Sequence, residues 1–148
     1  MKNDDWLRCE KDGEQADLRQ ADLRQADLQE ADLRRADLQE ADLSGFQIPQ
    51  HGELRVFKKV QNKIVLLKIP SYAKRTGSLI GRKCRASCAI VLAIQGDDPV
   101  TSDGLGRGVK TRYEIGKTII PDSYDPDIRV ECSHGIHFFL TREEAEAF

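Results

Sequence analysis

The sequence predicts a mainly β protein, a short square coil followed by a compact α+β domain with a C-terminal helix. Three observations carry this. A five-residue unit recurs without a break from Ala16. The charge changes sign along the chain: residues 1–45 hold 7 basic and 13 acidic side chains, and residues 46–148 hold 16 and 12. The chain closes on a helix start signal, Thr141-Arg142-Glu143-Glu144. We therefore divide the 148 residues into an N-terminal cap (1–15), a repeat stub (16–50) and a β-rich α+β domain (51–148).

The repeat reads ADLRQ, ADLRQ, ADLQE, ADLRR, ADLQE, ADLSG, with Leu at 18, 23, 28, 33, 38 and 43. On an α-helix a step of five turns the side chain by about 140°, which scatters the leucines around the cylinder. On a flat strand the same step alternates faces. A coil that turns a corner every five residues puts every Leu and every small Ala inside. Four such faces close a square, and Asp with the two variable positions faces out. A seventh unit, Phe46 to Gln50, keeps an inward pair in Phe46 and Ile48, and Pro49 ends the ladder. A stub this short needs covered ends. The C-terminal domain can cover one, residues 4–15 with Trp6 and Leu7 the other, and self-association through the stub is the alternative.

Six strict A-D-L-x-x units resemble the pentapeptide-repeat family. The resemblance implies a right-handed quadrilateral β-helix with about 20 residues per coil. Long members of that family mimic DNA and bind topoisomerases. Here residues 16–45 carry 8 acids and 4 Arg, too short and too interrupted a surface to imitate a useful length of duplex. The bland reading of Asp17 to Asp42 is a solvated face.

In the second segment LRVFKKV (54–60) and KIVLLKI (63–69) read as a hairpin around Gln61-Asn62. CRASCAIVLAIQ (84–95) is the most apolar run and is expected as the central strand. Residues 96–108 are a loop, 112–120 are extended with a break at Gly116, and 129–132 and 136–140 are short strands. Thr141 with Glu144 fits a capping box, and the helix after it packs Ala145 and Phe148 inward.

The stretches LRVFKK, IGRKCRASCAIVLAI, RYEIGKTIIPD and ECSHGIHFFLTREEAEAF resemble a domain of unknown function that follows pentapeptide repeats in many phage and prophage proteins. The resemblance implies a phage-encoded accessory protein, of a kind that often acts against host defences.

Several chemistries fail on spacing. Cys84, Cys88, Cys132, His134 and His137 are soft ligands, but Cys84 and Cys88 on one strand would stand about 13 Å apart, so no metal is expected. Gly116-Lys117-Thr118 ends like a phosphate loop, yet Thr111 stands where the first glycine belongs. The four cysteines read as thiols. No apolar run is long enough for a membrane span, and the polar residues 1–14 do not read as a secretory signal. A cytoplasmic location in a bacterial host cell is expected.

The basic half is where a ligand is sought. Arg and Lys beside aromatics suit phosphates. The candidate ligand-binding residues are Lys59, Arg75, Arg85, Tyr113 and His137, with no catalytic residue and no cofactor assigned. The leading reading is a non-enzymatic binding protein that occludes a host protein or sequesters an anionic nucleotide. Nucleic acid is disfavoured, because the charge is modest and aromatics are only 6%. The alternatives are a nucleotide-modifying enzyme resembling ADP-ribosyltransferases, through Tyr113 to Gly116 and the Cys-x-x-Gly-Ile-His-Phe stretch, and a short DNA mimic.

Overall fold

The computed structural model describes residues 17–28, 33, 36–43, 48–102 and 110–148. The expected cap over residues 1–15, Phe46 and the glycine-rich stretch 104–108 lie outside them. The described residues are mainly β, with one short helix at the C-terminal end.

In the repeat, each described corner is closed by a backbone bond from Ala to the Leu three residues earlier. Ala21 donates to Leu18 at 3.1 Å, Ala26 to Leu23 at 3.0 Å, Ala36 to Leu33 at 2.9 Å and Ala41 to Leu38 at 3.1 Å. Gln20 and Glu40 turn these corners with φ of 59° and 58°. Asp17 bridges Asp37 and Asp22 bridges Asp42, both in parallel and both twenty residues apart. Asp does more than keep this face wet. Asp17 and Asp22 each accept the backbone N–H two residues on, at 3.2 Å, and Asp37 does the same for Gln39 at 3.1 Å. Such local bonds stabilise a turn, which gives the Asp of the unit a structural reason.

The domain opens with β1 (Leu54–Val60) and β2 (Lys63–Ile69), paired over their full length. Gln61 and Asn62 both take positive φ, 50° and 61°, the backbone that a two-residue hairpin turn requires. The strands β3 (Arg75–Thr76), β4 (Cys84–Ala86), β5 (Ala89–Ile94), β6 (Val100–Thr101) and β7 (Arg112–Tyr113) follow. The chain ends with β8 (Thr118–Ile119), β9 (Ile136–Phe138) and α1 (Arg142–Ala147). One sheet has the order β1-β2-β5-β8, a second has β3-β4-β9, and β6 pairs with β7. Phe57 and Phe139 exchange backbone bonds of 2.9 and 2.7 Å, which join β1 to the chain just after β9.

The core collects the inner rows of the two larger sheets, including Val56, Val65, Leu67, Val91 and Phe138, together with Tyr113 of the β6–β7 pair. A second cluster places Ala145 of α1 against Ile64 and Phe139, with Phe57 and Phe148 packed beside them. Thr141 and Glu144 form the expected capping box.

Two expected strands differ. The 84–95 run divides between two sheets as β4 and β5. Ser87 donates to the Lys74 carbonyl at 2.9 Å and its hydroxyl accepts from Lys74 N–H, also at 2.9 Å, so the chain turns there instead of running through. Residues 129–132 form no strand, because the carbonyls of Val130 and Glu131 point at Arg85.

The domain meets the repeat through Leu79. It is buried with Leu33 and Ala36, and Ile80 and Ile128 pack alongside with Leu18, Leu28, Leu38 and Leu43. Arg129 adds a 2.7 Å bond to the Ala36 carbonyl.

Candidate functional site

The five residues singled out in the sequence do not converge on one opening. Arg85 is 1% exposed, and its guanidinium is enclosed by backbone. Nε donates to Asp125 O at 2.6 Å, Nη1 to Val130 O at 2.5 Å and Nη2 to Asp127 O. Arg75, 4% exposed, donates to Pro49 O at 3.1 Å, Gly52 O at 2.7 Å and Pro70 O at 2.9 Å. Both arginines therefore hold chain segments in place. Arg75 fixes the connector after the repeat, and Arg85 fixes the 125–131 loop that reaches the repeat through Ile128 and Arg129. Lys59 points to the helix side of β1 and donates to Glu146 O at 3.1 Å. Its expected place beside Arg85 and His137 is thus taken by another lysine.

That lysine is Lys58. Alternation along β1 sets it in the row of Val56 and Val60, both buried, and opposite Val65 in the ladder. Its ammonium donates to the His137 carbonyl at 3.1 Å and stands 6.0 Å from the centre of the Tyr113 ring. Burial, reinforced by the nearby charge of Lys83, pushes its pKa down to about 7. Lys83 is buried too, with its ammonium 4.4 Å from the centre of the Phe148 ring, an arrangement that favours the charge.

His137 shares this environment. It faces Arg85 across the β4–β9 ladder while Ile136 and Phe138 point into the core. Its Nε2 lies 2.6 Å from the Ser133 carbonyl and so carries the proton. Burial holds its pKa well below the ordinary value, and Lys83 and Lys58 add to this. The ring is neutral at pH 7, with Nδ1 left as an acceptor. Tyr113 is buried, and burial raises its phenol well above the usual range. Lys58, Lys83 and His137 thus form a cluster of basic groups in which Lys58 has no carboxylate partner among the described residues.

Gly135 makes the cluster compact. Its φ is +145°, and a Cβ there would stand 3.1 Å from Arg85 Cβ and 3.3 Å from Ala86 O. Only glycine lets β9 begin this close to Arg85.

The cysteines depart from the expected four thiols. Cys84 and Cys88 are buried free thiols, whereas Cys132 is disulfide-bonded. Burial raises the Cys84 thiol to about 11, which makes it a poor nucleophile at neutral pH. Among the described residues no three His, Cys, Asp or Glu side chains are placed to hold a metal ion. No helix among them is long and apolar enough to cross a membrane.

Sequence alternation could have found Lys58, since it is the one charged residue in the row Leu54, Val56, Lys58, Val60. Lys83 carried no such signal, because its burial depends on Phe148 at the far end of the chain.

Neither the curated proteins nor the solved structures contain a match. Eight copies of the pentapeptide repeat are matched over residues 14–46. The model of a family of unknown function, DUF5758, matches residues 44–145, more than half of the chain. The chain therefore belongs to the DUF5758 family and carries pentapeptide repeats ahead of that domain.

Proposed function

We propose that the protein is a non-enzymatic binding protein whose domain takes an anionic ligand, a nucleotide in the leading case, beside Lys58 and His137. One observation carries this reading: Lys58 stands in an apolar strand row next to Lys83, and among the described residues it is hydrogen-bonded to a backbone carbonyl and to no carboxylate. Burying a cation there is costly, and an anion that approaches it removes part of that cost. Tyr113 borders the site, and Arg85 supports it from behind. Lys59 and Arg75 act on other parts of the fold.

The repeat is proposed to be a short right-handed quadrilateral β-helix spanning 16–50, and the twenty-residue bridge offset supports four units per coil. Such a coil lacks a repeat unit over Leu33, and Leu79 with Ile128 fills that place. In this reading the domain (51–148) caps the stub, and self-association concerns its other end. The phage or prophage setting, a role against host defence and action in the host cytoplasm rest on the resemblance described above.

The test is thermal unfolding with a nucleotide panel and inorganic phosphate at pH 6.5, followed by recovery of ligand from heat-denatured protein. A rise in Tm that Lys58→Met removes, with ligand recovered unchanged, is the expected result. A chemically altered ligand would point to an enzyme. No rise with any anion would favour the second reading, occlusion of a host protein. That reading draws on Tyr72 and Ile120, which are 74% and 73% exposed. Tyr72 lies near Cys88, and the neighbouring Ala89 pairs with Ile119, so the two lie towards one end of the sheet.

A further inference from the structure

We infer that Lys58 is a covalent capture site whose amine condenses with the aldehyde of a small anionic carbonyl compound. The inference rests on the anion site just proposed and names a narrower class of ligand for it.

Three features of the geometry carry it. First, Lys58 reaches its position through an apolar row, between Val56 and Val60 and opposite Val65, where a charged ammonium is poorly solvated. Second, Lys83 stands close enough to oppose a second charge, and the Phe148 ring 4.4 Å away favours the charge on Lys83. A lysine in an apolar site beside another cation is the arrangement that frees an amine lone pair at neutral pH. Third, among the described residues the hydrogen bond of Lys58 runs to a carbonyl, at 3.1 Å, and a neutral amine still has an N–H to donate to it, whereas a carboxylate partner would hold the charge. Lys58 is half-buried, and no carboxylate among the described residues is bonded to it. The same basic neighbours that hold Lys58 neutral favour a negatively charged reagent.

The chemistry balances without a further reactant. The nitrogen lone pair of Lys58 adds to the aldehyde carbon, and the ammonium proton so formed passes to the new alkoxide, giving a carbinolamine. Loss of water leaves the imine. Anion binding and imine formation differ in their pH dependence. The ammonium form attracts the anion, and the neutral form attacks the aldehyde.

The test is borohydride trapping with substoichiometric pyridoxal phosphate at pH 7.5, read by peptide mapping of the intact chain. Lys58 is expected to take label about ten-fold or more faster than the average of the other lysines. Inorganic phosphate should slow its labelling, and pyridoxal without the phosphate should label it more slowly. Label spread over exposed lysines such as Lys74 and Lys117 with no preference for Lys58 would overturn the inference. Phosphate-dependent melting of the wild-type chain separates the two levels. A Tm rise without Lys58 labelling keeps the anion site and removes the imine. Preferential labelling that phosphate does not slow and that needs no phosphate on the aldehyde removes the anionic class.

Discussion

Arg129 donates from Nη1 to the Ala36 carbonyl at 2.7 Å while its Nε and Nη2 hold both oxygens of Asp127, at 2.8 and 2.6 Å. One side chain therefore ties the domain loop to a corner of the repeat 93 residues earlier. Arg129→Ala should loosen the repeat while leaving the domain folded. The bond is charge-assisted and half-buried, so a loss of about 1–2 kcal/mol is expected. Amide exchange of Leu18, Leu23 and Ala41 measures it. Unchanged protection at these amides would show that Leu79 alone seats the repeat.

Arg85 should matter more. Its guanidinium satisfies carbonyls of Asp125, Asp127 and Val130. Arg85→Met leaves these acceptors without their donor, and a destabilisation of about 3–5 kcal/mol is expected. Denaturant unfolding reads the loss directly. A cost under about 1 kcal/mol would mean that the loop finds water or other donors. Charge reversal at Arg85 would thus report on folding before it reported on ligand.

Gly135→Ala places a methyl against Arg85 and Ala86 at a backbone angle that L residues rarely adopt. A loss of about 2–3 kcal/mol is expected, from strain and contact together. A Tm within about 1 °C of wild type would show that β9 can shift away from β4 without penalty.

The pH dependence of stability should carry the mark of Lys58. Its pKa is about 7 folded against an ordinary 10.5, so between these values the unfolded chain binds the extra proton. Stability contributed by this group therefore rises with pH through that window, and the full cost of the buried charge is felt below about 7. Lys58→Met should be more stable than wild type at pH 6, by about 2–4 kcal/mol, and the difference should shrink towards pH 10. His137 acts in the same sense at lower pH, because its folded pKa lies well below the ordinary 6.5. Parallel pH profiles for wild type and variant would contradict the assignment.

Much of the fold is legible in the sequence because it is local. The five-residue period, the Gln61-Asn62 hairpin and the Thr141–Glu144 box each depend on neighbours in the chain, and each appears where expected. The 84–95 run misleads because apolar content does not reveal a corner. Ser87 makes that corner by pairing with Lys74, which no local pattern announces. The site is less legible for a related reason. Arg75 and Arg85 read as ligand-binding cations, but their partners are carbonyls of residues 49–52, 70 and 125–130, visible only after folding. Lys58 was within reach of strand alternation alone, whereas its coupling to Lys83 and His137 required the two sheets to meet.

Direct titration of the Lys58 side chain by NMR, on the intact chain with and without nucleotide, bears most closely on the proposed site. A midpoint of about 7 in the free protein, moving upward when an anionic ligand is added, is the predicted result. A midpoint near 10.5 that no anion shifts would contradict both the buried amine and the site built around it.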